Sequence, residues 1–334
     1  MTSLSVIVPN YNHARFLPSA LRALLSQDRQ PDEIILIDDA STDDSIAIIQ
    51  SLIAGHPHAR LVPNERNQGV IAALNAGLGM ARGDLIYFGA ADDMVLPGLF
   101  SRSGSILEQF PAAAFSSARS TLIDAEGRML GLMPGAVPLH RAGYMSPLLV
   151  ERLLQRDDSW IHGNTVIFRR RLLLEAGGFR PEPRSFTDGF IARALALKYG
   201  ACFIPEPLGA WRRMEGGFSW NVAADLSKAE EVANNTVRLM GGEFASVFPQ
   251  RYIRRWHGRY MFGARRLMLK VRLQQADIAD RGWWGRAYRR AKYLGEIAYW
   301  FFSLRPLDAP AVARRFWSTR NSYKAAPSDF KIVQ

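Results

Sequence analysis

The first hundred residues alternate between short apolar runs and segments of helical periodicity, and this alternation constrains the fold most. The apolar runs have the length of strands and are almost continuous in hydrophobic residues: residues 5–8, 33–37, 60–63 and 85–88. Between them, apolar residues recur every three or four positions, as in amphipathic helices. Strands that alternate with helices predict an α/β fold, with a mostly parallel sheet covered by helices on both faces.

Polar residues follow each of the four runs. Tyr11, Asp39, Asn67 and Asp92 lie in the segments after successive strands. The carboxyl ends of parallel strands share one edge of a sheet, and ligands bind in the crevice outside it. Asp92 and its neighbour Asp93 suit a hard cation such as Mg²⁺ or Mn²⁺, shared with substrate phosphates. Taken alone, the acidic pair could equally be a solvated turn.

Composition excludes several classes of protein. The 334 residues contain 48% hydrophobic and 22% charged residues, which is ordinary globular composition. The single cysteine, Cys202, excludes an internal disulfide, and no reactive motif surrounds it, so we expect a buried thiol in a reducing, cytoplasmic protein. The chain begins with a strand-like run rather than a signal peptide, and no apolar stretch is long enough to span a membrane.

The positive charge is concentrated at the carboxyl end. Residues 251–334 carry 19 Lys/Arg against 5 Asp/Glu, whereas residues 1–250 carry 23 against 26. The same segment is rich in aromatic residues: Trp256, Trp283, Trp284, Trp300, Phe301, Phe302 and Trp317. Basic and aromatic residues together are typical of segments that bind an anionic membrane surface, although the aromatic residues could instead pack helices onto the body. No nucleic-acid-binding motif accompanies the charge.

Five motifs occur in a fixed order along the amino-terminal hundred residues: Pro9-Asn10-Tyr11-Asn12, Ile37 to Asp43, Asn67-Gln68-Gly69, Gly83-Asp84, and Asp92-Asp93 with Pro97 beyond. This ordered set resembles the nucleotide-sugar domain of family 2 glycosyltransferases over about residues 3–100. The resemblance implies a GT-A fold, which is Rossmann-like, a nucleoside-diphosphate sugar donor, a Mn²⁺ or Mg²⁺ cofactor, and inversion of the anomeric centre.

The resemblance assigns the donor-binding residues. Tyr11, in the motif that runs from Pro9 to Asn12, resembles the aromatic residue that packs against the nucleobase; alternatively it covers the sheet edge. Asp39 resembles the carboxylate that accepts the imide N–H of the base, which favours a UDP or dTDP sugar, while Asp38 is expected to brace the loop.

Asn67 and Gly69 resemble the turn at which backbone approaches the nucleotide, where a Cβ would collide; a plain helix-entry turn is the alternative. Asp92 and Asp93 resemble the family's DxD-type element, which binds metal and ribose, but Ala90 stands where the first acid is common. Later in the chain, Met214 stands where the family often has a histidine. Arg212 is kept, and it could contact the diphosphate or remain solvated.

The catalytic candidate lies much further along the chain. Residues 162–179 resemble the family's acceptor-side strand and helix, and Asp188 follows in the region where the family has its general base. An inverting displacement needs one carboxylate opposite the leaving group to take the proton of the acceptor hydroxyl. The alternative role for Asp188 is capping of the helix that runs to Lys198.

The sequence therefore predicts three parts: a nucleotide-sugar-binding half at 1–100, an acceptor-binding and catalytic half at 101–220, and a helical basic region at 221–334. The predicted function is an inverting, metal-dependent glycosyltransferase that uses a glycan or lipid-linked acceptor in cell-surface polysaccharide biosynthesis. A non-catalytic nucleotide-sugar-binding scaffold is the alternative. A nucleotidyltransferase is disfavoured, because the glycine-rich phosphate loop that such enzymes carry is replaced here by Pro9-Asn10-Tyr11-Asn12.

Overall fold

A computed structural model describes residues 2–214 and 225–277. The strands of this part form one sheet: β1 Leu4–Asn10, β2 Glu33–Asp38, β3 Ala59–Pro63, β4 Leu85–Phe88, β5 Met94–Val95, β6 Phe115–Ile123, β7 Met129–Leu132, β8 Gly143–Met145, β9 Ile167–Arg169 and β10 Ala201–Arg212. The helices are α1 Leu17–Leu25, α2 Ser45–Ile53, α3 Val70–Met80, α4 Leu99–Gln109, α5 Pro147–Arg156, α6 Arg170–Glu175, α7 Thr187–Tyr199, α8 Leu226–Gly241 and α9 Gln250–Asp277.

The sheet confirms the predicted strand direction. Its order is β3-β2-β1-β4-β9-β6-β10-β5, with β7 beside β6 and β8 beside β10. Strands β1 to β4 are mutually parallel, and β6 is parallel to β10. The short strand β9 runs against both β4 and β6, so these two longer strands share one direction. The carboxyl ends of the six strands that share this direction therefore lie along one edge of the sheet; these strands are β1, β2, β3, β4, β6 and β10.

Both faces of the sheet are covered, which explains the continuous apolar runs. Successive side chains on a strand point to opposite faces, and Val6, Ile7 and Val8 are all buried. Ile7 belongs to the hydrophobic cluster that includes α3, α5, α7 and α9, whereas Val6 and Val8 belong to the cluster that includes α1, α2 and α4. Most positions of such a strand are apolar because neither face meets water, and a polar residue there, such as Ser5, needs a hydrogen bond within the protein.

The described part of the basic carboxyl-terminal region is helical, as predicted, and packs onto the body. Trp256 of α9 is buried and its ring lies 4.8 Å from that of Phe186, just before α7. Packing is thus the correct interpretation for Trp256. The other aromatic residues of the basic segment, from Trp283 to Trp317, lie outside the described residues. In residues 2–214 and 225–277 no helix has the length and apolar content needed to cross a membrane.

A buried charged cluster joins α9 to α7. The carboxylate of Asp158 lies 3.4 Å from Nη2 of Arg259 and accepts a hydrogen bond from the hydroxyl of Tyr252 at 3.4 Å. Arg193 of α7 donates from Nη2 to the Asp158 carbonyl oxygen at 2.7 Å. A buried charge that loses its partner is costly, so these contacts fix α9 against α7. The predicted division of the chain at residues 100 and 220 stays a prediction.

We expect Trp256→Ala to lower the free energy of unfolding by roughly 3–5 kcal/mol, since truncating a buried tryptophan leaves a cavity in the core. Urea denaturation of the full chain measures this. The matched control is Trp211→Ala, because Trp211 is 37% exposed and its truncation should change the stability by less than about 1 kcal/mol. Equal losses for the two variants would contradict the packing of α9 described above.

Candidate active site

The loops after β1 and β2 are held together by buried hydrogen bonds. The Asp38 carboxylate is fully buried and accepts from Nδ2 of Asn10 at 2.7 Å, and from the backbone N–H and hydroxyl of Ser41 at 2.9 and 2.6 Å. Asp38 therefore braces these loops, as the sequence predicted. Because solvent does not reach Asp38 at all, its carboxylate acts as a positioning group for these loops.

Asn12 fixes the short turn that carries Tyr11. Asn12 adopts a left-handed conformation, with φ of 56°, and its Oδ1 accepts from the backbone N–H of Thr42 at 2.8 Å. Its own N–H donates to the Ser41 hydroxyl at 2.9 Å. Pro9 lies one residue before the end of β1, in register with Ile37 of β2. The result is a fixed loop from which the Tyr11 ring projects, 44% exposed and able to stack on a flat ligand.

Asp39 organises the segment that leads into α3. Its Oδ1 accepts from Nδ2 of Asn64 and the N–H of Gln68, and its Oδ2 accepts from the N–H of Gly69, all at 2.8–2.9 Å. The carboxylate is almost completely buried, but Oδ2 keeps acceptor capacity after this single bond. Asn67 closes the same turn, because its Oδ1 also accepts from the Gly69 N–H, at 3.0 Å.

Gly69 is required by its backbone conformation. Its φ of 88° and ψ of 153° lie in a region that only glycine adopts readily, and a Cβ built there would meet no protein atom within 4 Å. The protein itself therefore leaves open space above this glycine, at the start of α3. That space lies beside Asp39, at the same edge of the sheet as Tyr11.

The acidic pair lies at the same edge, and Asp93 is tied to the end of β10. Oδ1 of Asp93 accepts from the backbone N–H of Arg212 at 2.8 Å. Burial raises the pKa of Asp93 well above its ordinary value, the neighbouring Asp92 raises it further, and Arg212 opposes both effects. Asp92 is only partly buried. The pair therefore combines one solvent-accessible carboxylate with one desolvated carboxylate.

The Arg212 guanidinium is committed to the protein. Nε donates to the carbonyl oxygen of Asp92 at 2.7 Å, and Nη1 donates to those of Asp124 and Ala125 at 2.8 and 3.0 Å. The guanidinium carbon also lies 4.9 Å from the ring centroid of Phe16. Arg212 thus joins the acidic loop, the β6–β7 turn and the start of α1, and it is neither solvated nor aimed at an open site.

The acidic pair fits a divalent cation only in part. A desolvated carboxylate beside a second carboxylate is stabilised by a nearby cation, and Mg²⁺ or Mn²⁺ prefers such oxygen ligands. Within residues 2–214 and 225–277, however, no three His, Cys, Asp or Glu side chains are grouped to hold a metal. A metal at this position would therefore be held by Asp92 or Asp93 and completed by phosphate oxygens and water.

Asp188 lies in a recess beside the turn that precedes β9. It is the second residue of α7, whose N-cap is Phe186, so Asp188 does not cap the helix. Its side chain is reached by solvent, yet protein surrounds it closely enough that desolvation raises its pKa, while the N–H of Gly189 and the charge of Arg193 oppose this rise. A solvent-accessible carboxylate with a raised pKa suits a general base.

Gly163 sets the position of the Asp188 carboxylate. A Cβ built on Gly163 would lie 2.5 Å from Oδ2 of Asp188, so only glycine allows the carboxylate its observed place. The adjacent Asn164 donates from Nδ2 to the Ser120 hydroxyl at 3.0 Å, and its carbonyl oxygen accepts from the Tyr87 hydroxyl at 3.0 Å. The turn at residues 163–165 therefore connects the Asp188 recess to β4 and β6 of the sheet.

The sequence predicted the carboxylates of the site but not these supporting residues. Gly163 and Asn164 form part of a short His-Gly-Asn-Thr segment, which by itself has no distinctive spacing. The pKa of Tyr87 is raised by burial and by the charge of Asp93, so its hydroxyl remains a donor to Asn164. The only sequence signal for Tyr87 is a hydroxyl within an apolar strand.

Comparisons with known proteins found similarity to glycosyltransferases. Residues 5–129 match the family model described as glycosyl transferase family 2. An uncharacterized protein of Mycobacterium tuberculosis is 33% identical over 63% of this chain and 66% of its own length. An uncharacterized glycosyltransferase of Nostoc sp. is 29% identical over 73% and 75%, and the succinoglycan biosynthesis protein ExoO of Rhizobium meliloti is 27% identical over 59% and 64%.

Solved structures show the same fold. TarS 1-349 of S. aureus in complex with UDP-GlcNAc matches 96% of this chain and 90% of its own, with a TM-score of 0.58 and 16% identity. The mannosyltransferase PcManGT of Pyrobaculum calidifontis, in complex with GDP-Man and Mn²⁺, matches 97% and 87%, with a TM-score of 0.54 and 18% identity. At these identities the likeness establishes the GT-A fold, as the sequence predicted.

We expect Gly163→Ala to reduce glycosyl transfer at least ten-fold without weakening nucleotide binding, because the added methyl group displaces the Asp188 carboxylate. Initial rates and UDP titrations measure the two effects separately. Gly79→Ala is the matched control: a Cβ there meets nothing within 4 Å, and alanine favours helix α3 by roughly 0.5–1 kcal/mol. If both variants kept wild-type rates, Gly163 would have no role in placing Asp188.

Proposed function

We propose that this chain is a glycosyltransferase of family 2, and that it transfers a sugar from a nucleoside-diphosphate donor to a glycan or lipid-linked acceptor, with inversion, in cell-surface polysaccharide biosynthesis. One observation carries the proposal: the loops that bear Tyr11, Asp39 and the Asp92–Asp93 pair share one sheet edge, and the turn at 163–165 connects this edge to Asp188. The relative named a succinoglycan biosynthesis protein supports a polysaccharide product.

The donor binds along the loops after β1, β2 and β4. The exposed ring of Tyr11 stacks on the nucleobase, and Oδ2 of Asp39 accepts its imide N–H while Asn67 and Gly69 border the same space. Uracil and thymine offer that donor, so UDP and dTDP sugars are favoured, in keeping with the UDP-GlcNAc complex of TarS. Thermal stabilisation by GDP alone, among UDP, dTDP and GDP, would overturn this role of Asp39.

The diphosphate lies at the acidic pair. Asp92 or Asp93, or both, would hold Mn²⁺ or Mg²⁺ there, and the cation would neutralise the diphosphate and stabilise it as a leaving group. Arg212 supports this site indirectly, because it fixes both carboxylates through the backbone contacts at Asp92 and Asp93. The guanidinium is engaged by the carbonyl oxygens of Asp92, Asp124 and Ala125, so we assign Arg212 this supporting role rather than the direct phosphate contact that the sequence suggested.

Asp188 is the general base. It takes the proton of the acceptor hydroxyl, whose oxygen forms the new bond to the anomeric carbon. The bond between that carbon and the diphosphate breaks on the opposite face, and its electron pair leaves with the nucleoside diphosphate. The recess beside Gly163 keeps the carboxylate partly desolvated, which raises its proton affinity.

We expect Asp188→Asn to lower kcat by about 10²- to 10⁴-fold while the affinity for UDP stays within two-fold, because the amide cannot take a proton. In the wild type, kcat should fall as the pH decreases, because the base must be deprotonated to act. The midpoint of this fall should lie above 3.8, the ordinary aspartate value, because the pKa of Asp188 is raised. Rates with donor and acceptor between pH 4 and 8 test both statements.

Glu175→Gln is the matched control for this prediction, because it removes a carboxylate from the exposed surface of α6 and should leave the rate unchanged. Transfer that survives Asp188→Asn at the wild-type rate would remove Asp188 from the mechanism. Tight UDP binding without transfer or donor hydrolysis in the wild type would instead favour the non-catalytic scaffold.

The basic segment 251–334 binds an anionic membrane surface. That surface is the cytoplasmic face of the membrane, where a lipid-linked acceptor would lie. Its described portion packs on the body through Trp256, so the contact is assigned to the remaining basic and aromatic residues beyond 277. We expect a chain that ends at residue 277 to lose at least ten-fold in affinity for vesicles with anionic lipid. Equal affinity of the two chains would contradict the membrane contact.

A further inference from the structure

Arg119 lies on β6, on the sheet face that carries the catalytic helix. Side chains alternate along a strand, so Arg119 shares a face with Phe115, whose ring stacks on Trp160 at 6.3 Å. The turn at residues 162–165 crosses this face: the N–H of His162 donates to the Ser117 hydroxyl at 3.4 Å. Arg119 is therefore beside the turn against which Asp188 packs.

Other arginines that lie wholly or partly inside the described protein have hydrogen-bond acceptors that Arg119 lacks. Arg169 donates to the carbonyl oxygens of Ala113 and Leu107, and Arg193 and Arg212 likewise donate to backbone oxygens and lie near carboxylates. Arg119 is partly buried, yet within residues 2–214 and 225–277 its guanidinium has no hydrogen bond and no ion pair. Leaving even a partly desolvated charge without a partner is unfavourable, so an anion bound there would be stabilised by it.

The surroundings of Arg119 leave its charge uncompensated. Burial lowers the pKa of Arg119, and no acid in the described part of the chain opposes this shift. His162 next to it is buried, and its pKa is lowered to about 4, first by burial and then by the charge of Arg119, so His162 is neutral. The positive charge on this part of the face is thus available to an incoming anion.

The position of Arg119 separates it from the acidic pair. Ile123 of β6 is in register with Arg212, whose N–H binds Asp93, and Arg119 lies four residues before Ile123 on the same strand. Four residues of strand span roughly 13 Å. The Asp188 carboxylate, in contrast, packs on Gly163, which adjoins His162. Arg119 therefore lies on the acceptor side of the site.

We propose that Arg119 binds an anionic group, a phosphate or a carboxylate, carried by the acceptor close to the hydroxyl that Asp188 deprotonates. The acceptor is then an acidic or phosphorylated glycan rather than a neutral one. This inference rests on the proposed function, because it names the substrate class of the same site. An arginine at this position provides paired N–H donors that suit either group.

The test uses the full chain saturated with UDP and Mn²⁺, titrated calorimetrically with four probes: glycerol 3-phosphate, glucuronate, glycerol and glucose. We expect at least one of the two anions to bind the wild type, and to bind Arg119→Gln at least ten-fold more weakly. Arg119→Lys should give an intermediate affinity. The neutral probes should bind all variants equally. Arg82→Gln is the matched control, because Arg82 is exposed and precedes β4, at the opposite edge of the sheet.

Each other result overturns the inference in a distinct way. An anion that binds the wild type and Arg119→Gln equally, or no anion binding to the wild type, removes Arg119 from acceptor recognition. A parallel ten-fold loss of UDP affinity in Arg119→Gln assigns the arginine to the donor diphosphate instead. In the first two cases UDP binding by the wild type is intact, so the proposed function stands. Its own failure would appear as absent UDP binding.

Discussion

The contact between the end of β10 and the acidic loop is the constraint on which the site depends. Asp93 would be an unfavourable buried carboxylate without the N–H of Arg212, and the Arg212 guanidinium in turn fixes the loop of Asp92 and the β6–β7 turn. This arrangement needs β10 to be parallel to β6 and adjacent to it, since Arg212 pairs with Ile123 at the shared end. The acidic loop after β4 is thus completed by a strand that lies more than a hundred residues later in the chain.

The position of Asp188, the proposed base, depends on a second contact, with Gly163, and on the helices behind it. The cluster of Asp158, Arg193 and Arg259 holds α7 against α9, so the helix that carries Asp188 is fixed from its far side. Arg193 also opposes the rise in the pKa of Asp188, which couples the packing of the carboxyl-terminal helix to the proton affinity of the base.

Local patterns predicted much of this molecule. Strands β1 to β4 and the helices between them follow from apolar runs and helical periodicity, because both signals are contained within ten to fifteen residues. The bracing role of Asp38 was predicted correctly. The close approach of the nucleotide at Gly69 stays a prediction, and the structure adds a separate reason for glycine there, its positive φ. The proposed capping role of Asp188 was wrong, because α7 begins one residue earlier.

By itself, then, the sequence determined the α/β class, the edge of the sheet at which the ligand groups gather, and the acidic residues that carry the proposed chemistry. Only the tertiary structure showed that the Arg212 guanidinium supports the acidic loop from inside the protein, that Gly163 limits the place of Asp188, and that Arg119 has no hydrogen bond or ion pair within residues 2–214 and 225–277. The physical reason is distance along the chain. Arg212 meets Asp92 across 120 residues, and no local periodicity encodes which strands become neighbours.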